Sequence, residues 1–313
     1  MEEDVSELID IAIVGGGPAG LTAALYGARA RARSVVFEAG LTGGQITSAS
    51  WVENYPAFPE GIAGQALGDL MSQQAERAGA ELRTLSPVDS ITVDGKRFVL
   101  MVDGKAEVAR TVILATGAVP KRLGIPGEAE YAGRGVSWCA TCDGPLYRDK
   151  VVAVIGGGDS ATQEALYLAK IAREVHLIHR RDELRATACL QEQCFLNPQI
   201  KMQLSYLVEE ILGEGGRVTG LRLRSKKDGS TSVLPVDGVF EFVGLDAQSG
   251  LVAGLCELDD QGFVKVNEDG LTSVPGLYAA GDVAAGRLKQ VVTACASGAR
   301  AAYHASQYLD EAG

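Results

Sequence analysis

The chain has 313 residues, a formal net charge of −11 and 46% hydrophobic residues. This length predicts about two domains, and the negative charge argues against nucleic acid and anionic membranes as partners. Met1 to Asp10 lacks the basic-then-apolar order of a signal peptide, and no apolar run approaches the ~18 residues that span a bilayer. Six cysteines without a regular framework are typical of a reducing compartment. We therefore expect a soluble, cytoplasmic α/β protein.

A first nucleotide-binding unit is predicted at the start of the chain. The apolar run Leu8 to Val14 predicts a buried parallel strand, and the glycine-rich turn Gly15 to Gly20 follows it. A helical stretch, Leu21 to Arg31, and a second strand, Ser34 to Phe37, lead to Glu38. A glycine-rich turn between a strand and a helix is the context that the dinucleotide fingerprint requires.

Each residue type in this fingerprint has a physical role. Gly15 permits the tight turn, Gly17 lets the backbone approach a pyrophosphate, and Gly20 lets the helix pack on the strand. The helix N-terminus favours an anion, and Glu38 lies where an acid accepts ribose hydroxyls. The residues assigned to this loop are Gly15, Gly17, Pro18, Ala19, Gly20 and Glu38.

A second glycine-rich turn and a polar turn follow, and both are candidates for lining the same ligand. Ala66 to Ala78 then predicts an amphipathic helix, Glu81 to Val108 a small antiparallel meander with Asp-Gly turns, and Thr111 to Leu114 a strand. We place a domain boundary near residue 118, before a polar linker at Lys121 to Glu130. The candidate residues in this region are Ala39, Gly40, Leu41, Thr42, Gly43, Gly44, Gln45, Asn54, Thr116 and Gly117.

The stretch WCATCDG contains the reactive candidates Cys139, Cys142 and Asp143. Two cysteines separated by two residues can close a redox-active disulfide ring, and an acid directly after them is placed to move a proton. Half of a zinc site and a structural disulfide are the alternatives. A zinc site needs further ligands in a compact pattern, and no second pair of cysteines has this spacing. The spacing favours a catalytic dithiol.

A second nucleotide-binding unit begins at the strand Lys150 to Ile155, and a helix at Thr162 to Lys170 and a strand at Glu174 to Ile178 follow its glycine-rich turn. At an offset of 141 residues, Gly15 falls on Gly156. Two dinucleotide units in one chain imply two different nucleotides. The candidates in the second loop are Gly156, Gly158, Asp159, Ser160 and Ala161.

The same offset of 141 residues identifies the position at which the two units should differ in nucleotide specificity. Glu38 falls on His179, and Arg180, Arg181 and Arg185 follow it. A carboxylate favours a free 2′-hydroxyl, whereas guanidinium groups bind a 2′-phosphate bidentately. The second site is therefore predicted to hold NADP(H), with a solvated turn as the alternative role for the arginines.

The last third of the chain predicts an apolar strand at Val239 to Val243, another ending near Gly281 and Asp282, and a final helix, Gln290 to Leu309. Glu192 to Asp237 shows strand-like runs, such as Val218 to Arg224, and a polar hairpin at Ser225 to Ser232.

Together these residues resemble the low-molecular-weight thioredoxin reductases, over about residues 9 to 309. The matching motifs, in chain order, are GGGPAG, GGQ, ATG, CATCDG, GGGDSA, HRRDELR, AGDV and KQVVTACASGARAA.

The resemblance implies two Rossmann-like, three-layer ββα domains, with the NADPH domain (119–247) inserted into a discontinuous FAD domain (1–118 and 248–313). It assigns Gly281, Asp282, Lys289, Gln290 and Val291 to the flavin site, Ser160 and the arginine cluster to the NADPH 2′-phosphate, and a homodimer to the assembly.

The resemblance also implies an activity. Electrons pass from NADPH to FAD, to the Cys139–Cys142 disulfide and to a thioredoxin disulfide, with Cys142 nearer the flavin, Cys139 attacking the partner and Asp143 as acid–base. A rotation of one domain about hinges near residues 118 and 247 separates the two half-reactions. Beside the second hinge, the family leads us to expect a proline-containing pattern after the glycine, and the stretch Val243 to Ala247 departs from it.

Other functions remain as alternatives. A dithiol oxidase on the same scaffold or a ferredoxin-driven variant would not need the arginine cluster, and a nucleotide-sensing interaction protein would not need Asp143. The partner could also be another thioredoxin-like protein or a peroxiredoxin system.

Overall fold

The computed structural model describes residues 8–49, 51–286 and 288–312. The predicted lack of a signal peptide falls largely on residues 1–7, which lie outside the described residues. The chain divides into two compact units, residues 1–119 with 246–313 and residues 120–245. The division into an FAD domain and an NADPH domain, with breaks near 118 and 247, stays a prediction.

Strands and helices alternate along much of the chain. The helices are α1 (Pro18–Arg29), α2 (Gly64–Arg77), α3 (Ala140–Asp143), α4 (Asp159–Leu168), α5 (Ala188–Leu196) and α6 (Val291–Ala312). The strands are β1 (Ile9–Val14), β2 (Ser34–Phe37), β3 (Glu81–Arg83), β4 (Val88–Asp94), β5 (Arg97–Val102), β6 (Lys105–Leu114), β7 (Ala118–Pro120), β8 (Val136–Ser137), β9 (Val151–Ile155), β10 (Glu174–His179), β11 (Ile200–Leu204), β12 (Tyr206–Glu214), β13 (Arg217–Ser225), β14 (Thr231–Pro235), β15 (Gly238–Glu241), β16 (Leu245–Ala247) and β17 (Leu277–Ala279).

The first unit is built on a seven-stranded sheet in the order β3-β2-β1-β6-β5-β4, with β17 also paired to β6. Strands β3, β2, β1, β6 and β17 run parallel, whereas β4 and β5 form an antiparallel meander with β6. Val14 lies opposite both Phe37 and Leu114. The parallel strands therefore end together at the edge where nucleotides bind in such sheets.

Small residues bring α1 and α6 close together in this unit. Their alanines, such as Ala23 and Ala301, share one buried cluster with Ile11 and Ile113 of the sheet. A Cβ added at Gly298 would lie 2.1 Å from the carbonyl oxygen of Ala19. The small residues of the last helix thus allow a close helix–helix packing that larger side chains would block.

The second unit contains a five-stranded parallel sheet, β11-β10-β9-β15-β8, and a three-stranded antiparallel sheet, β12-β13-β14. One buried cluster, which includes Val154, Ala165 and Leu168, packs α4 against the parallel sheet. Another, which includes Ile155 and Leu221, packs the two sheets together. The predicted α/β fold with two dinucleotide-binding units is confirmed.

Sequence and structure differ in detail. Helix α1 begins at Pro18, because proline is preorganised for the first helical position. Helix α5 falls in a stretch for which no helix was predicted, and its apolar residues form no clear stripe. The segment Lys121 to Glu130, predicted as a linker, belongs to the second unit and contains the buried Glu128. Backbone N–H groups bonded to that carboxylate hold it there.

The chain crosses between the two units twice, between residues 119 and 120 and between 245 and 246. The short strands at these crossings, β7 and β16, form a two-stranded sheet.

Candidate active site

The two cysteines of the redox motif are joined by a disulfide. Its S–S distance is 2.07 Å, and the Cα atoms of Cys139 and Cys142 are 5.3 Å apart. Cys139 follows β8 and caps the short helix α3, where its Sγ accepts from the backbone N–H of Cys142 at 3.2 Å. Ser137 Oγ accepts from the N–H of Cys139 at 3.1 Å. The loop is therefore held on both sides of the first cysteine.

The surroundings of Cys139 suit negative charge on its sulfur. Besides the Cys142 N–H, the hydroxyl of Thr141 lies 3.4 Å from Cys139 Sγ. Both donors would stabilise a thiolate formed when the disulfide opens. Asp143 ends α3, and the N–H of Asp143 donates to the carbonyl of Cys139 at 3.1 Å. Burial raises the pKa of Tyr147, and the negative charge of the Asp143 carboxylate is the next largest cause of that increase.

The first glycine-rich loop has the geometry that its motif predicts. Gly15 has φ +107°, and a Cβ added at Gly20 would lie 1.9 Å from the carbonyl oxygen of Gly15. Both Glu38 carboxylate oxygens accept backbone N–H groups, from Gly16 at 2.6 Å and from Gly40 at 2.7 Å. Glu38 therefore ties this loop to the second glycine-rich turn. Its predicted role at a ribose stays a prediction.

The two glycine-rich turns of the first unit lie against each other. The N–H of Gly43 donates to the carbonyl of Gly16 at 2.8 Å, and a Cβ added at Gly44 would lie 2.9 Å from the Cα of Gly17. The neighbouring Gln45 side chain donates to the carbonyl of Ala118. The structure thus brings the predicted residues 39–45 next to the fingerprint loop.

Residues from both ends of the chain meet in the first unit. Asn54 Nδ2 donates to Gln290 Oε1 at 3.0 Å, and Thr116 Oγ1 donates to the carbonyl of Gln248 at 2.6 Å. A Cβ added at Gly281 would lie 2.8 Å from Cβ of Ala19. The predicted flavin residues thus come together, with the turn at 281–282 against the start of α1.

Asp282 and Lys289 are half-buried residues of opposite charge beside that turn. Lys289 Nζ donates to the carbonyls of Asp282 and Ala284 at 2.9 and 2.6 Å. Burial raises the pKa of Asp282, and Lys289 opposes that shift. Burial also lowers the pKa of Lys289, against the effect of Asp282. Each group therefore offsets part of the other's desolvation cost.

The second glycine-rich loop is packed against the basic cluster of the second unit. A Cβ added at Gly157 would lie 2.3 Å from Nδ1 of His179. The N–H of Arg185 donates to the carbonyl of Gly157 at 2.6 Å. Burial, and then the charges of Arg185, Arg181 and Arg180, lower the pKa of His179. His179 is buried and its Nε2 has no hydrogen-bond partner among the described residues, whereas the three arginines are exposed.

Both loops fit a bound nucleotide. Helices α1 and α4 each begin at a glycine N-cap, which has no side chain to accept the N–H groups of the first turn. No heavy atom lies within 4 Å of a Cβ added at Gly158, so the space in front of that loop is open. Asp159 Oδ1 accepts from the N–H of Thr187 at 2.7 Å, which orders the segment after the arginines. The assignment of individual residues to FAD and NADPH stays a prediction.

Several residues with structural roles in these sites were missed from the sequence. Ser297 Oγ accepts from the N–H of Gly281 at 2.8 Å. Trp138 Nε1 donates to the buried carboxylate of Glu241 at 3.0 Å. One signal was available for the second pair, because Glu241 is a charged residue inside the otherwise apolar run Val239 to Val243.

The chain matches the family model described as pyridine nucleotide-disulphide oxidoreductase over residues 9–298. It is 45% identical to a thioredoxin reductase of Mycolicibacterium smegmatis over 303 residues, which cover 96% of this chain and 97% of the relative. It is 44% identical to a thioredoxin reductase of Listeria monocytogenes over 306 residues, 97% of this chain and 95% of the relative. The crystal structure of thioredoxin reductase from Streptococcus pyogenes superimposes with a TM-score of 0.90 at 38% identity, covering 97% and 99% of the two chains.

The chain therefore belongs to the pyridine nucleotide-disulphide oxidoreductase family, and within it to the low-molecular-weight thioredoxin reductases. The resemblance that its motifs indicate is confirmed. Membership implies an oxidoreductase that uses a flavin and a nicotinamide nucleotide. Among the described residues, no helix has the length and hydropathy to span a membrane, and no group of three His, Cys, Asp or Glu residues is arranged to hold a metal ion.

Proposed function

We propose that this protein is an NADPH-dependent thioredoxin reductase with FAD as its flavin. The observation that carries the proposal is the Cys139–Cys142 disulfide, followed by Asp143, in a chain with two glycine-rich loops. The strand after the first loop ends at the acid Glu38, and the strand after the second is followed by a cluster of arginines. Relatives that are 44–45% identical over nearly the whole chain are thioredoxin reductases, which supports thioredoxin as the partner.

FAD would be held by the first unit, where the fingerprint loop, the turn at residues 40–45, Asn54 and the 281–291 region converge. NADPH would be held by the loop at residues 156–161, with its 2′-phosphate on Arg180, Arg181 and Arg185. When bound, these nucleotides supply a hydride and carry its electron pair to the disulfide.

The steps at the cysteines follow from thiol–disulfide chemistry. The Cys139–Cys142 bond accepts two electrons and two protons and opens to a dithiol, with Asp143 moving a proton. The Cys139 thiolate then attacks the partner disulfide, forms a mixed disulfide and displaces one partner sulfur, which is protonated. Cys142 next attacks Cys139 Sγ, which restores the intramolecular disulfide and releases the partner as a dithiol. Overall, NADPH, a proton and a disulfide become NADP⁺ and a dithiol.

The proposal includes a rotation of one unit against the other between the half-reactions, with hinges near residues 118 and 247. It is supported by the two single crossings of the chain, which leave few covalent constraints on such a motion. A covalent cross-link between the two units should abolish multiple turnover. Full turnover in the cross-linked protein would contradict the rotation.

We also propose a homodimer and a cytoplasmic location, which fit a thioredoxin-dependent reductase with reduced free cysteines. Neither nucleic acid nor a membrane is proposed as a partner. Sedimentation of the flavin-loaded protein would test the dimer.

An anaerobic titration of the flavin-loaded protein with NADPH, and in parallel with NADH, tests the function. We expect NADPH to bleach the flavin absorbance at much lower concentration than NADH, and thioredoxin to restore it. Bleaching only by dithiols, with NADPH inert, would instead indicate a dithiol oxidase.

A further inference from the structure

Glu241 is a buried acid beside the redox loop. It ends strand β15 and is only 2% exposed. Strand β15 pairs in parallel with β8, and Phe240 lies opposite Ser137. The next residue on each side is Glu241, which ends β15, and Trp138, which follows β8 directly before Cys139, and their side chains meet.

The indole of Trp138 is held by groups on two of its sides. Its Nε1 donates to Glu241 Oε2 at 3.0 Å. The guanidinium of Arg122 stacks over the ring, 3.5 Å from the centroid. Since Trp138 and Cys139 are adjacent in the chain, a displacement of this indole would move the first cysteine of the disulfide.

A second buried acid, Glu128, lies beside Glu241 and contributes to the raised pKa of Glu241. Glu128 is 4% exposed, and its carboxylate accepts backbone N–H groups from Leu123 at 3.1 Å and Gly124 at 2.6 Å. Glu241 Oε1 is buried and has no donor to accept from among the described residues. Two carboxyl groups can hydrogen-bond to each other only when one keeps its proton. Every oxygen in this network is therefore satisfied when Oε1 of Glu241 carries a proton and donates it to Glu128.

The charges around Glu241 agree with this proton position. Burial raises the pKa of Glu241 to about 8, and the Glu128 carboxylate acts in the same direction. The Trp138 donor and the charge of Arg122 oppose the shift but do not cancel it.

We propose that protonated Glu241 is a positioning residue that holds Trp138, and through it Cys139, in place, and that its ionisation loosens this part of the redox loop. The inference rests on the proposed function, in that the loop it positions is the redox-active one. Ionisation would place two carboxylates together in a buried site, where repulsion and desolvation favour a rearrangement that draws Glu241 away from Glu128.

The substitution Glu241→Gln separates charge from shape. The amide NH₂ can donate to Glu128 while the amide oxygen accepts from Trp138, so glutamine imitates the protonated acid at every pH. The variant Glu209→Gln is the matched control, because Glu209 lies in the same unit on β12 and pairs with Arg224 near the surface.

The first measurement is tryptophan fluorescence of the oxidised, flavin-loaded protein between pH 6 and pH 10. The chain has two tryptophans, so Trp51→Phe leaves Trp138 as the only reporter. We expect the emission of this parent to titrate with a midpoint near pH 8, the Glu209→Gln control to do the same, and Glu241→Gln to show no such transition. A flat curve for the parent, or the same transition in Glu241→Gln, would overturn the proposal.

The second measurement is the rate at which iodoacetamide alkylates Cys139 in protein reduced with dithiothreitol. Mass spectrometry of the peptide that contains Cys139 monitors the reaction. At pH 7 the parent and Glu241→Gln should react equally. At pH 9 the variant should react about threefold faster or more. In the parent, Glu241 is then ionised, and its negative charge disfavours the Cys139 thiolate that reacts with iodoacetamide. Equal rates at both pH values would count against the proposal.

Neither measurement uses thioredoxin or NADPH. A protein that shows both effects yet fails to reduce thioredoxin would contradict the proposed function and leave the positioning role intact. If Glu241→Gln does not fold, Glu128→Gln in the Trp51→Phe parent decides. It removes the like charge beside Glu241, so the transition of Trp138 emission must move to a pH clearly below 8; an unchanged midpoint near pH 8 would overturn the proposal.

Discussion

The backbone N–H of Arg185 donates to the carbonyl oxygen of Gly157 at 2.6 Å. This bond fastens the arginine-containing turn to the second glycine-rich loop, so one nucleotide can reach both. In the first unit, Glu38 occupies the position that corresponds to His179, just before the arginines, and its carboxylate accepts from the N–H of Gly16. The negative charge of Glu38 and the positive charges of the arginines after His179 are the physical basis of the nucleotide specificity that we propose.

Replacing Arg180 and Arg181 together with alanine is expected to raise KM for NADPH by roughly 100-fold or more, because each of the two charge-assisted contacts to a 2′-phosphate contributes about 1.5–3 kcal/mol. KM for NADH should change little. Steady-state kinetics with both nucleotides check this, with Arg217→Ala, at an exposed position at the start of β13, as a control. An equal loss for NADPH and NADH would contradict the assignment.

The variant Cys139→Ser is expected to lose thioredoxin reduction, because the attacking sulfur is absent. Its flavin should still be bleached by NADPH in an anaerobic titration. Cys189→Ser, which removes an exposed cysteine outside the disulfide, serves as the control and should keep full activity. Unchanged thioredoxin reduction in Cys139→Ser would disprove the assigned role.

Asp143→Asn is expected to slow reduction of the disulfide by about 100-fold, the lower end of what positioned acid–base groups contribute. Stopped-flow measurement of thiol formation in a single turnover would isolate this step. Asp260→Asn, at an exposed position far along the chain, should react at the wild-type rate. A normal rate in Asp143→Asn would assign proton transfer to another group or to water.

Two neighbouring glycines should respond differently to alanine. Gly157→Ala places a methyl group 2.3 Å from the buried ring of His179, which should destabilise the fold by about 1–3 kcal/mol and lower the unfolding temperature. Gly158→Ala meets no atom within 4 Å, so its stability should fall by about 1 kcal/mol or less. Its KM for NADPH should nevertheless rise, because the methyl group enters the space proposed for the pyrophosphate. Calorimetry and kinetics on both variants test this, and an unchanged KM in Gly158→Ala would refute the placement.

Glu241 makes stability depend on pH. Its pKa is raised from the ordinary value of 4.5 to about 8 in the folded state, so the folded protein retains a proton that the unfolded chain releases. Stability is therefore lost as pH rises from about 4.5 to about 8, by at most roughly 5 kcal/mol. Glu241→Gln should lack this loss. The unfolding temperature of the variant minus that of the wild type should therefore be larger at pH 8 than at pH 5. An equal difference at both pH values would rule out a raised pKa.

Much of the fold and of the candidate site was predictable from the sequence, because its signals are local. The fingerprint at Gly15 to Gly20 and its repeat at Gly156 encode a strand, a turn and a helix within about thirty residues each. The cysteine spacing at residues 139 and 142 encodes a ring that closes within one turn of chain. The basic residues after His179 could be compared with Glu38 because a repeat has a fixed offset.

Contacts between distant segments were decided only by the tertiary structure. Asn54 meets Gln290 across 236 residues, and Trp138 meets Glu241 across 103. Such pairs depend on strand order and register, here the pairing of β15 with β8, and no local pattern specifies them. By itself the sequence determined the two glycine-rich loops, the acid and the arginines that distinguish them, and the pair of cysteines. The tertiary structure decided which side chains surround them, because burial and hydrogen bonding arise only when the segments are packed together.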